Sequence, residues 1–149
     1  MKKLLQISAL MIALLMMLAT FASCAGPADD GEDARRALIK NGYEVDYYED
    51  DDDATISYLS KEYDLFGLEE YLTAWDNEDQ TKIDNFIVIF YFDEVQDAKD
   101  SMDGIEDYVE FLKKSLKDSG IDVDSMGFEL DRSGDVVWWG TPDAVKAAK

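Results

Sequence analysis

Residues 86–92 read Phe-Ile-Val-Ile-Phe-Tyr-Phe, seven consecutive residues with apolar or aromatic side chains. Successive side chains of a β-strand point to opposite faces of the sheet. A strand of this composition has two apolar faces, so other elements must cover it above and below. We therefore expect a central strand over Ile83–Phe92, and we place the remaining elements relative to it.

The segment after this strand predicts a long amphipathic helix. Asp93 followed by Gln96 has the form of a capping box, which marks a helix start. Ser119-Gly120 predicts its end. Apolar residues recur between them at steps of three and four, at Val95, Ala98, Met102, Ile105, Val109, Leu112 and Leu116. This spacing predicts that one side of the helix packs against the sheet.

The C-terminal part predicts a hairpin and a short helix. Two short strands are expected at Gly127–Asp131 and Asp135–Gly140, joined by the tight turn Arg132-Ser133-Gly134. Thr141 and Pro142 are residue types typical of the N-cap and first position of a helix. A final helical turn or two is therefore predicted before Lys149.

The segment before the central strand predicts two strands and two helices. The strands are expected at Leu68–Trp75 and around Tyr43–Tyr47, where apolar residues alternate with acids. A short helix is expected over Glu32–Asn41. Asp53 predicts the cap of a second helix, although a strand over Thr55–Leu59 is the competing prediction. The apolar residues of that second helix are Ile56, Leu59, Tyr63 and Phe66.

The predicted order of elements is α-β-α-β-β-α-β-β-α. This order predicts an α+β fold, with a mostly antiparallel sheet packed against helices. The inner β-α-β-β-α-β series is the order of the ferredoxin-like plait, which is our first estimate of the topology. The first and last helices are additional, and they can cover either an end of the sheet or its second face.

The composition excludes several classes of functional site. The chain of 149 residues contains 34 Asp and Glu, 14 Lys and Arg, no histidine and one cysteine. A Ser-His-Asp or Cys-His catalytic unit, a His/Cys zinc site and an intrachain disulfide are therefore excluded. The net charge of −20 argues against binding to nucleic acid, because phosphate recognition requires many Lys and Arg residues.

The N-terminal segment has the composition of a signal peptide. Lys2 and Lys3 precede an uncharged apolar stretch over 4–21, which ends in Phe21-Ala22-Ser23-Cys24. These four residues resemble the lipobox of bacterial lipoproteins. The resemblance implies transfer of a diacylglyceryl group to Cys24 and cleavage before it. Secretion with cleavage near Ala22, and an uncleaved membrane anchor, are the alternatives.

This resemblance divides the chain into three parts. Residues 1–23 are the expected signal peptide, residues 24–33 an acylated cysteine with a flexible tether, and residues 34–149 a single domain. The mature chain of 126 residues has 12 Lys and Arg and 34 Asp and Glu, a net charge of −22. Its Ile89–Lys99 strand and helix and its Gly134–Thr141 hairpin are similar to those of small lipoprotein domains of Gram-positive bacteria.

An acidic run between the first strand and the second helix is the candidate metal site. It comprises Glu49, Asp50, Asp51, Asp52 and Asp53. Ca²⁺ prefers several carboxylate oxygens on flexible backbone, which makes this run a candidate for weak calcium binding. The EF-hand pattern of glycine and glutamate is absent, which favours diffuse attraction of cations over a specific site.

Two pairs of adjacent aromatic residues are candidates for partner or ligand binding. Tyr47-Tyr48 and Trp138-Trp139 lie on predicted strands, where neighbouring side chains face opposite ways. If helices cover only one face of the sheet, Tyr48 and one tryptophan point to solvent and can stack on a sugar or anchor a protein. The alternative is that the terminal helices cover the second face.

We therefore expect a non-catalytic binding module held by lipid at the extracytoplasmic face of a bacterial cell membrane. Its partner is an unknown protein or cell-wall component. A lipoprotein that binds calcium, a small ligand or a glycan is the alternative, and a small hydrolase is third. No Gly-x-Ser-x-Gly motif, phosphate-binding loop or dinucleotide fingerprint is present.

Overall fold

A computed structural model of the protein describes residues 26–49, 53–76 and 83–149. Its centre is a five-stranded sheet in the order β1-β2-β3-β5-β4, with every neighbouring pair antiparallel. The strands are β1 (Tyr43–Glu49), β2 (Leu68–Asp76), β3 (Phe86–Phe92), β4 (Glu129–Ser133) and β5 (Val136–Gly140). The predicted central strand is β3, in which all seven side chains are buried.

The helices follow the predicted order along the chain. They are α1 (Gly31–Lys40), α2 (Ala54–Glu62), α3 (Val95–Asp100), α4 (Met102–Asp118) and α5 (Pro142–Ala147), with a 3₁₀ turn at Val123–Ser125. The α+β class, with an antiparallel sheet packed against helices, is confirmed. A helix rather than a strand follows Asp53, whose side chain accepts a hydrogen bond from the Thr55 amide at 2.7 Å.

The predicted long helix is two helices that meet at Ser101. The buried Ser101 hydroxyl accepts a hydrogen bond from the Phe66 amide at 2.8 Å, which ties the junction to the loop before β2. The expected capping box is wrong, because the Asp93 amide donates to the Gly67 carbonyl instead. The Gln96 side chain donates to Asp100 rather than reaching back.

Helices cover both faces of the sheet. The first core lies between the sheet and α2, α3 and α4, and it includes Phe90, Val137 and Trp139. The second core lies between the sheet and α1 and α5, and it includes Ile89 and Trp138. The terminal helices therefore cover the second face, which satisfies the two apolar faces of β3.

The ferredoxin-like plait is correct for one half of the sheet and wrong for the other. In the plait, the two strands of each β-α-β unit are parallel with a third strand between them. The unit from β3 to β4 has this form, because β5 lies between them and is antiparallel to both. In contrast, β1 and β2 are adjacent and antiparallel.

The chain reversal after α2 explains this difference. Asp64 and Gly67 have φ angles of 52° and 60°, in the left-handed region, and they turn the chain back toward β1. β2 consequently starts beside the end of β1, with Glu70 opposite Glu49. The connection through α2 never crosses to the far end of the sheet, so a parallel arrangement is not formed.

Residues 26–30 are packed on the domain rather than forming the expected flexible tether. The Ala28 amide donates to the Ala148 carbonyl at 2.8 Å, and the Tyr91 hydroxyl donates to the Ala28 carbonyl at 3.1 Å. A Cβ atom at Gly26 would lie only 2.6 Å from the Trp138 ring, so this glycine rests directly on the ring. The folded domain therefore begins before residue 34.

α4 lies directly against the end of α2 at Gly104. A Cβ atom at this position would overlap the backbone carbonyl oxygen of Tyr63, the residue that ends α2. A backbone atom cannot move aside as a side chain can. The contact thus requires glycine in the first turn of α4, although glycine is an unfavourable residue within a helix.

We expect Gly104→Ala to lower the free energy of unfolding by about 1–3 kcal/mol, the usual effect of overpacking. The higher helix propensity of alanine alone would raise the free energy of unfolding by up to about 1 kcal/mol. A decrease therefore indicates the overpacked contact. Urea unfolding measures it. The exposed α4 variant Lys114→Ala is the matched control and should change stability by less than about 0.5 kcal/mol. A Gly104→Ala protein more stable than the parent would contradict the contact.

Candidate interaction surface

Neither residue of the Trp138-Trp139 pair faces solvent. The two rings lie on opposite faces of the sheet as expected, but their exposed fractions are 4% and 1%. Gly26 covers Trp138, and Phe128 stacks on Trp139 with a centroid separation of 4.1 Å. A solvent-facing tryptophan was expected only if helices covered one face of the sheet. The alternative is confirmed, because the second helix layer and the N-terminal segment cover the second face.

The Tyr47-Tyr48 pair is divided between the two cores. Tyr47 packs with the second core, and its hydroxyl donates to Glu49 at 3.2 Å. Tyr48 is half-buried beside the first core and stacks on Tyr71 at 6.0 Å. Tyr48 thus retains some exposed surface, but it is mainly a packing residue at the edge of the sheet.

A chain of aromatic contacts leads from the first core to the surface between α2 and α4. The hydroxyl groups of Tyr71 and Tyr108 lie 2.6 Å apart in the interior. The Tyr108 ring contacts Tyr63 of the α2 end at 4.9 Å and Phe111 of α4 at 6.2 Å. Burial raises the pKa of Tyr63, and the neighbouring Tyr58 raises it further.

We call Tyr58, Tyr63, Tyr108 and Phe111 the aromatic surface. Tyr58 and Phe111 are exposed by 57% and 54%, whereas Tyr108 is buried beneath them. The sequence did contain a signal for Phe111, because this residue lies outside the apolar series of α4. Tyr58 gave no signal, since one tyrosine on the polar side of a short helix is common.

A shallow cavity of about 370 Å³ lies on the other side of α4, against β4 and β5. Phe128, Leu130 and Trp139 form part of its wall. Glu106, Asp107, Glu110 and Lys113 of α4 also line it, and Lys113 pairs with Glu110 at 2.6 Å. α4 therefore carries aromatic side chains toward α2, and an excess of carboxylates around the cavity on its other side.

Two residues of the acidic run have structural roles in the fold. Asp53 caps α2, and Glu49 accepts the Tyr47 hydrogen bond. Asp50, Asp51 and Asp52 lie outside the described residues. Within 26–49, 53–76 and 83–149, no group of three or more acidic or cysteine side chains is placed to hold a metal ion. Calcium binding by this run stays a prediction.

Glu70 of β2 is a carboxylate with an unusual environment. A Cβ atom at Gly31 would overlap its carboxylate, so the side chain lies directly against the first turn of α1. Its Oε2 atom is buried and has no hydrogen-bond partner among the described residues. Burial raises the pKa of Glu70, the Tyr47 hydroxyl partly offsets this, and the charges of Asp30 and Glu49 raise it further.

No protein-family model matches the chain, and no curated protein and no solved structure match it either. In the described ranges, no helix has the length and apolar composition needed to cross a membrane. The predicted acylation site Cys24 precedes those ranges. Functional proposals for this chain therefore rest on its own residues.

We expect Glu70→Gln to raise the melting temperature at about pH 7. A raised pKa means that the folded state holds the Glu70 proton more tightly than the unfolded state. Protonated Glu70 therefore stabilises the folded state at low pH. This contribution is lost as the pH rises through the raised pKa of Glu70, which lies above the ordinary pKa of 4.5. The difference in melting temperature between Glu70→Gln and the parent protein should therefore disappear at about pH 4.

Glu69→Gln is the matched control, because it removes the same charge from an exposed neighbouring position. It separates the local effect of burial from the general relief of repulsion in an acidic protein. Equal changes in melting temperature for the two variants at about pH 7 would show that the burial of Glu70 has no energetic consequence.

Proposed function

We propose that the protein is a lipid-anchored, non-catalytic interaction module at the extracytoplasmic face of a bacterial membrane. Support for the anchor comes from Lys2 and Lys3, the apolar stretch over 4–21 and the residues Phe21-Ala22-Ser23-Cys24. Acylation provides a role for the single cysteine, and two acyl chains suffice for stable membrane attachment. The proposal includes no catalytic step, since the chain lacks histidine and the recognised nucleophile motifs.

The observation that carries the binding proposal is the exposure of Tyr58 and Phe111 on one aromatic surface. Burying an aromatic side chain of this kind contributes roughly 1.5–3 kcal/mol. Aromatic residues that anchor an interface are typically held in place by their neighbours, which reduces the entropy lost on binding. Tyr108 supports Phe111 in this way, through stacked rings.

The carboxylates of α4 indicate the chemistry of the partner. Asp107 lies one helical turn before Phe111 on α4, and Glu106 and Glu110 line the neighbouring cavity. A protein surface with an apolar pocket for Phe111 and Lys or Arg residues facing these carboxylates would be complementary to the exposed part of α4. Charge complementarity of this kind accelerates association and rejects acidic partners.

We expect Cys24→Ser to release the protein from the membrane fraction of a producing bacterium. The parent protein should be recovered in the membranes, begin at residue 24 and carry a diacylglyceryl group, as intact-mass measurement can show. A soluble parent protein with a reactive Cys24 thiol would favour ordinary secretion. Recovery of all 149 residues would favour an uncleaved anchor.

We expect the double variant Tyr58→Ser with Phe111→Ser to lose at least tenfold in affinity for a partner identified by crosslinking at the cell surface. Its melting temperature should change little, because both side chains are more than half exposed. Val95→Ser is the control, since Val95 is also exposed but lies on α3. Unchanged affinity in the double variant would exclude the aromatic surface as the binding site.

A further inference from the structure

The packed N-terminal segment determines where the chain leaves the domain. Ala28 is held over β3 and the end of α5, through Tyr91 and Ala148. Two residues earlier, Gly26 rests on the Trp138 ring of β5. The segment therefore crosses the sheet on the side of α1 and α5, and Gly26, where the described chain begins, lies on that side.

We infer that acylation holds this domain in a fixed orientation, with its α1–α5 layer against the lipid surface and its α2–α4 layer directed away. The inference rests on the proposed acylation of Cys24. Only two peptide units separate Cys24 from Gly26, so the lipidated residue stays within about 7 Å of the docked segment. A link of this length cannot let the domain rotate freely above the bilayer.

The composition of α1 agrees with this orientation. It carries three cations against two acids, whereas α4 carries five acids against three lysines. Arg36, Ile39 and Lys40 share one exposed side of α1, at spacings of three and four residues, and Arg36 also pairs with Glu32 at 3.3 Å. Ile39 is 53% exposed, and an apolar residue between cations is typical of helices that lie at an anionic lipid interface.

The opposite layer carries the aromatic surface. The axes of helices on the two faces of a sheet are separated by roughly 20 Å, since each helix is about 10 Å in diameter. Tyr58 and Phe111 are then directed away from the bilayer and remain accessible to a partner while the domain is anchored. The α1–α5 layer, in contrast, approaches the lipid head groups.

Fluorescence quenching in vesicles can test this orientation on the acylated full chain. Lys146→Cys on α5 and Lys114→Cys on α4 are matched exposed positions for a single fluorophore, because acylation consumes the Cys24 thiol. The vesicles contain phosphatidylethanolamine, phosphatidylglycerol and a lipid with a nitroxide on its head group. We expect quenching to be several-fold stronger at position 146, which lines a cavity shared with Trp138.

A flexible Gly/Ser linker inserted between Ala25 and Gly26 should remove this contrast while leaving the domain folded. Hydrogen exchange gives a test that does not depend on lipid. The Ala28 amide should be protected in the chain with or without acylation, because it donates to the Ala148 carbonyl.

The outcomes separate the orientation from the anchor. Equal quenching at the two positions, stronger quenching at position 114 or rapid exchange of the Ala28 amide would overturn the orientation while leaving acylation intact. A chain recovered without a diacylglyceryl group on Cys24 would overturn the proposed anchor and the orientation with it.

Discussion

The structure depends on the requirement that β3 be buried on both faces. All seven of its side chains are buried, and they alternate between the two cores. Helices on one face alone would expose half of these side chains to water, at a cost of roughly 1.5–3 kcal/mol for each large one. The chain meets the requirement with α3 and α4 on one face, and with α1, α5 and residues 26–30 on the other.

The same requirement explains why both Trp138 and Trp139 are buried. β5 is paired with β3, with Trp138 opposite Ile89 and Trp139 opposite Val88. A residue that pairs with the central strand shares its two covered faces, so neither ring is left exposed. β1 lies two strands from β3, at the edge of the sheet, and its Glu44 and Asp46 are exposed. The covered centre and the open edge are therefore compatible features of a single sheet.

Much of the architecture was predictable because it follows from local patterns. Apolar periodicity placed the helices and strands, and the two apolar faces of β3 implied coverage on both sides. The topology of the first half was not predictable, because it depends on the left-handed conformation of Asp64 as well as Gly67. Asp adopts this conformation more often than most residues, but most Asp residues do not adopt it, so its presence alone does not predict the turn. Phe66 was expected among the apolar residues of α2. Because α2 ends at Glu62, Phe66 lies beyond the helix and is exposed.

The candidate site was less predictable than the fold. Acylation of Cys24 was expected from a local motif, and the described residues do not include it. The aromatic surface arises from α2 and α4, which lie about 50 residues apart in sequence and meet where Gly104 approaches Tyr63. A contact of this kind depends on tertiary packing. Local spacing identified the adjacent aromatic pairs instead, and packing buries most of their surface.

The two helix layers can have separate roles because the central strands β3 and β5 between them are closed to solvent on both faces. Trp138 supports the N-terminal segment on one side, while Tyr71 and Tyr108 support the aromatic surface on the other. A lipid contact on the first layer and a protein contact on the second would not compete for space. Since the intervening sheet is rigidly paired, anchoring would set the direction of the aromatic surface without altering its structure. Packing of residues 26–30 on the domain would therefore determine how the proposed anchor directs the aromatic surface relative to the membrane.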